Sequence, residues 1–135
     1  MRSLKYMLDT NTLLWAIGNT KELSKAAVQT IKNPNNEISA SAVSLWEISL
    51  KYNIGKLEVG FSIEKIPEYC EKMGIELIPL DPIDTLNCIK LPSETTHKDP
   101  FDRMLIYQCI KNNYTLISRD SRIKLYKEYG LNCIW

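Results

Sequence analysis

Histidine occurs once in this chain, at His97. A multi-histidine metal centre is therefore excluded, and any Ser-His-Asp triad would have to use that one side chain. The four cysteines, Cys70, Cys88, Cys109 and Cys133, include no C-x-x-C pair, so buried free thiols are expected in place of zinc ligands or disulfides. No apolar run approaches the roughly 18 residues that span a bilayer. The N-terminus carries Arg2 and Lys5 but enters an apolar stretch at once, without a signal-peptide layout, so the cytoplasm is the expected location. Net charge is also nearly absent. Seventeen basic residues stand against sixteen acidic ones, for +1, so any nucleic-acid contact must use a local patch and not a general basic field.

What remains is an ordinary globular composition, 44% hydrophobic and 24% charged over 135 residues, which sets the expectation of one domain with its own core. The organising stretch is residues 5–15, KYMLDTNTLLW. A short apolar run ends at Asp9, three polar residues follow, and a second apolar run begins at Leu13. That pattern predicts a buried strand, a polar turn and a helix leaving it. In open α/β sheets, sites form at the carboxyl ends of strands, where such turns feed helix N-termini.

The pattern recurs. The spacing predicts strands over residues 4–8, 37–42, 75–79, 114–118 and 131–135. Helices are predicted over 11–17, closed by Gly18-Asn19, and over 25–32, 63–73, 82–91, 100–112 and 120–129. A further helix has Ser44 as its N-cap and ends at Gly55. Residues 56–60, KLEVG, read as a connector able to pair briefly as β. The alternation argues for a three-layer α/β domain around a five-stranded, mostly parallel sheet.

Five acids fall at helix starts: Asp9, Glu47, Asp99, Asp102 and Asp120. Each has a structural reading. Asp9 and Asp120 suit N-caps, S-L-W-E at 44–47 matches a capping box, and D-P-F-D at 99–102 is a cap, a proline and a first-turn acid. A helix dipole offers each carboxylate about 0.3–1 kcal/mol. Two unit charges about 4 Å apart repel by about 4 kcal/mol at an effective dielectric near 20. Crowded acids at one sheet edge would thus need a cation or protonation, and all-oxygen ligands suit Mg²⁺ or Mn²⁺. Carboxylate-held Mg²⁺ with open water positions is the apparatus of phosphodiester hydrolysis.

LDTNTLLW, SLWEISLKYNIGKL, HKDPFDRMLIYQ and LISRD, in that order, resemble PIN-domain ribonucleases, most closely VapC-type toxins of toxin–antitoxin pairs. The resemblance runs from Tyr6 to Trp135. It implies sheet order 3-2-1-4-5 and a Mg²⁺- or Mn²⁺-dependent endoribonuclease whose acids fall on Asp9, Glu47, Asp102 and Asp120. Asp99 is a further acid of the D-P-F-D-R subgroup, as ligand or helix cap. A cognate antitoxin and a homodimer are implied as well. Asp9 and Asp102 are the expected direct ligands, with Asp120 completing the site and Glu47 binding metal or acting as base. Asn11 and Ser118 are expected behind them. His97, Lys98 and Arg103 are candidates for RNA contact or for a solvated surface. Lys51 and Lys56 read as surface residues, and Trp15 and Trp46 as core.

Overall fold

The computed structural model describes residues 4–92 and 98–135, so His97 lies outside the described residues. Five strands form one sheet: β1 (Lys5–Leu8), β2 (Glu37–Ser41), β3 (Ile75–Ile78), β4 (Thr115–Ile117) and β5 (Asn132–Ile134). Their order is β3-β2-β1-β4-β5, and all four pairings are parallel. The helices are α1 (Thr10–Gly18), α2 (Lys25–Lys32), α3 (Ala42–Asn53), α4 (Ile66–Met73), α5 (Pro82–Asn87) and α6 (Pro100–Asn112). The fold class and strand order match the sequence reading. No helix among the described residues is long and apolar enough to cross a membrane.

Strand alternation divides the core into two layers. Leu8 and Ile117 face one layer, with Leu13, Ala27, Ile48 and Ile66. Met7 and Leu116 face the other, with Leu105, Ile106, Ile123 and Tyr126. Burying each large apolar side chain contributes about 1.5–3 kcal/mol, and both central strands are covered on both faces, as parallel strands require.

Several local expectations change. The chain enters α3 at Ser41, not Ser44. Ser41 is extended (ψ 148°), and its Oγ accepts from Val43 N at 3.1 Å and donates to Gln108 Oε1 at 2.6 Å. The S-x-x-E match at 44–47 is therefore not a capping box. Ser44 is buried inside the helix, and Glu47 lies in its second turn. Residues 56–60 join no strand. Residues 63–65 and 88–90 tighten into 3₁₀ turns, and Ser121–Tyr129 is 3₁₀ throughout, stopped by Gly130 at φ 99°. The Gly18-Asn19 pair does not close α1 by left-handed geometry, since Asn19 has φ −157°. Gly18 is required for close approach instead: a Cβ there would lie 2.7 Å from Phe61 Cε1.

The chain winds outward from β1 through β2 to β3, then returns to β4 on the other side of β1. That reversal opens a crevice at the carboxyl ends of β1 and β4.

Candidate active site

Asp9 follows β1 and caps α1, its Oδ1 accepting from Thr12 N at 2.8 Å. Asp120 follows β4 and caps the Ser121–Tyr129 segment, accepting from Arg122 N at 2.9 Å. Asp99 caps α6, accepting from Phe101 N at 2.9 Å and Asp102 N at 3.1 Å. Capping and clustering are thus not alternatives. The caps aim the carboxylates to the same end of the sheet, and Asp9, Glu47, Asp99, Asp102 and Asp120 all line one cleft of about 280 Å³.

Glu47 is 4% exposed. The Thr10 hydroxyl donates to its Oε1 at 2.6 Å, with Ser44 Oγ 3.0 Å from the same hydroxyl. Lys51, one turn along α3, pairs with Oε2. That hydrogen bond, with Asp99 and Asp102 nearby, holds the Lys51 ammonium above its ordinary pKa. Burial pushes the Asp9 carboxyl up from its ordinary value, and the charge of Asp120 adds to this. Hydrogen bonds from Ser118 and Thr12 oppose it. Ser118 also accepts from Asp120 N at 3.1 Å, so one hydroxyl bridges the ends of β1 and β4. Arg122 grips Asp120 with two nitrogens, Nε to Oδ1 at 3.2 Å and Nη2 to Oδ2 at 2.9 Å.

Asn11 lines the cleft, whereas Lys98 is exposed and does not. Arg103, a candidate for RNA contact, does not line the cleft. Its guanidinium donates to Leu91 O (2.7 Å), Pro92 O and Tyr126 Oη (both 3.0 Å), which makes it a structural tie between α6 and the segments beside it. Trp46 is corrected. It is 58% exposed and edge-on to Phe101, because the buried face of α3 runs through Val43, Ser44, Glu47 and Ile48. Trp15 is half-buried and forms a wall of the cleft. Lys51, read as surface, also lines it, as do Thr10, Arg119 and Arg122. The signals were positional: Lys51 is four residues after Glu47, and the two arginines flank Asp120.

As they stand, no three His, Cys, Asp or Glu side chains among the described residues converge tightly enough to enclose an ion. Mg²⁺ does not require this, since it keeps several waters and uses one or two carboxylates. An all-oxygen donor set including a buried carboxylate with a raised pKa fits such a hard cation.

The PIN domain family model matches residues 6–129. The chain is similar to Ribonuclease VapC22 of Mycobacterium tuberculosis, 22% identical over 133 residues, covering 96% of this chain and 97% of that protein. VapBC2 from Rickettsia felis, bound to a DNA fragment from its promoter, superposes with a TM-score of 0.67 at 22% identity, over 97% of this chain and 98% of that one. DNA-bound VapBC from Salmonella typhimurium gives 0.65 at 20% identity, over 97% of each chain. These two structures share the fold. With the match spanning nearly every element that builds the cleft, the chain belongs to the PIN domain family.

Proposed function

We propose that this chain is a metal-dependent endoribonuclease, cutting RNA by water attack on a phosphodiester without a covalent enzyme intermediate. The observation that carries the reading is the convergence of five carboxylates and three cations on one cleft at the crevice of the sheet. Asp9, Asp102 and Asp120 would hold Mg²⁺ or Mn²⁺, with Asp99 as a further candidate. Bound there, the ion supplies Lewis acidity toward the phosphate and offsets charge on the leaving oxygen. Glu47 would take a proton from the attacking water, a role supported by the Thr10 hydroxyl that fixes its Oε1. Ser118 fixes Asp9 relative to Asp120, and Asn11 stands at the rim to orient water or phosphate. Lys51 and Arg122 bring positive charge to a phosphate beside so many acids.

The relatives named VapC and VapBC support a further part of the reading: this chain is the toxin of a toxin–antitoxin pair, acting on RNA. We propose in addition that it works as a homodimer in the cytoplasm. An RNA-processing nuclease outside such a pair would share the chemistry but not the antitoxin.

The test is Mn²⁺ binding by calorimetry, followed by RNA cleavage on the same samples. Wild type should bind Mn²⁺, cleave RNA and lose cleavage in EDTA. The Asp9→Asn/Asp102→Asn double variant should stay folded and lose both properties. Cleavage by that variant at the wild-type rate would sink the proposal. Growth arrest on expression, relieved by Asp9→Asn, would separate a toxin from a processing enzyme.

A further inference from the structure

We propose that Arg119, seated over the Trp15 ring, is the stacking platform for an unpaired nucleobase next to the scissile phosphate. This rests on the nuclease reading above and adds a subsite to it.

Three cations line the cleft, and they are held differently. Lys51 and Arg122 are tied to acids of the site itself, Glu47 and Asp120. Arg119 is anchored from outside the acid cluster. Its Nη1 pairs with Glu22 at 3.3 Å, and its Cζ lies 4.3 Å from the centre of the Trp15 ring. Trp15 is in turn braced edge-on by Trp135, with centroids 5.9 Å apart and planes at 62°. The guanidinium is thus fixed by a carboxylate and by an aromatic ring that is itself held, yet the side chain stays 53% exposed. Glu22 already offsets much of its charge. What it presents to a ligand is a positioned plane more than a net positive charge, and planar guanidinium groups stack on bases as well as on indole.

Space runs in the same direction. A second cleft, of about 250 Å³, adjoins the acid cleft and shares Asn11 and Trp15 with it as common walls, continuing toward Leu57 and Phe61. A strand whose phosphate sits at the acids, in the cleft that Arg119 also lines, has a route past Trp15 for its neighbouring nucleotide. A base there must be unstacked from its own neighbours, which a single strand allows and a duplex resists.

The test measures binding of a fluorophore-labelled single-stranded RNA by anisotropy, with Ca²⁺ replacing Mn²⁺ to hold cleavage off. The proteins are wild type, Arg119→Lys and Arg119→Gln. Both variants should bind about 5- to 100-fold more weakly, since stacking needs the plane and not only the charge. An abasic nucleotide moved along the oligonucleotide should weaken wild type at one position and leave Arg119→Lys unmoved there. Circular dichroism and Mn²⁺ affinity should be unchanged in Arg119→Lys. Wild-type binding by Arg119→Lys, with loss only in Arg119→Gln, would make Arg119 a phosphate contact and overturn the platform. So would an abasic scan that never separates the two proteins, or equal affinity for the duplex form. Cleavage of the same RNA in Mn²⁺ separates the two readings. Wild type that cleaves while Arg119 is dispensable loses only the platform. Wild type that neither binds nor cleaves RNA overturns the nuclease reading and the platform with it.

Discussion

The Thr10 hydroxyl donates to Glu47 Oε1 at 2.6 Å, joining the first residue of α1 to the second turn of α3 across 37 positions of sequence. Both side chains are buried, so this bond fixes where the carboxylate points. Thr10→Val keeps the shape and removes the donor. It should cost about 1–3 kcal/mol of stability in urea unfolding, the range for a hydrogen bond to a buried charged group. RNA cleavage should fall by at least about tenfold, since small misplacements of a reacting group are costly. Thr10→Ser should restore both. Equal rates in Val and Ser variants would show that Glu47 needs no such positioning.

Asp9 sets a pH dependence. Its folded-state pKa is raised above the ordinary carboxylate value, mainly by burial, so the folded chain holds that proton more tightly than the unfolded chain does. Stability from this group is therefore greatest at low pH. It declines as pH rises from the ordinary carboxylate value through the raised one, then levels off. In EDTA, unfolding midpoints of wild type should show this decline as pH rises above the ordinary carboxylate range, and Asp9→Asn should lack it. At neutral pH without metal, Asp9→Asn should be the more stable protein, while inactive. Parallel pH curves for the two would count against the assignment.

Arg122 holds both oxygens of Asp120, so it competes with any cation for that carboxylate. The pair is partly exposed, and such pairs are worth only about 0.2–1 kcal/mol. Arg122→Gln should accordingly tighten Mn²⁺ binding modestly, about 1.5- to 5-fold by calorimetry. Weaker binding in that variant would mean that Arg122 organises the site and does not compete for it.

Gly18 is packed under Phe61. Gly18→Ala should destabilise by about 1–3 kcal/mol through overpacking. Phe61→Leu added to it should recover part of the loss, because the clash is with the ring. A neutral Gly18→Ala, read by thermal unfolding, would show that the loop carrying Phe61 yields freely.

The alternation of short apolar runs with helical spacing carried the fold class, and resemblance carried the strand order. The acids were legible because residues that end strands and start helices have few jobs, and Asp9, Asp99 and Asp120 perform the capping job as well. The S-x-x-E match at Ser44 misled. Local sequence cannot report that Ser41 already has a partner in Gln108, which starts the helix three residues early. Trp46 misled for a related reason. Its neighbours are apolar, but the face of α3 that turns inward is chosen by where Thr10 and α1 sit.

By itself, then, the sequence determined which segments are strands and helices, and which acids stand at their junctions. Those follow from periodicity and from backbone donors that need caps, both local properties. The tertiary structure alone decided which cations meet those acids and which aromatic rings reach the cleft. Arg103 and Arg119 look alike in sequence, each beside an aspartate. Yet Arg103 is tied to the carbonyls of Leu91 and Pro92, and Arg119 is laid over Trp15. A long flexible cation takes the partners that packing leaves within its reach, and those partners come from distant parts of the chain.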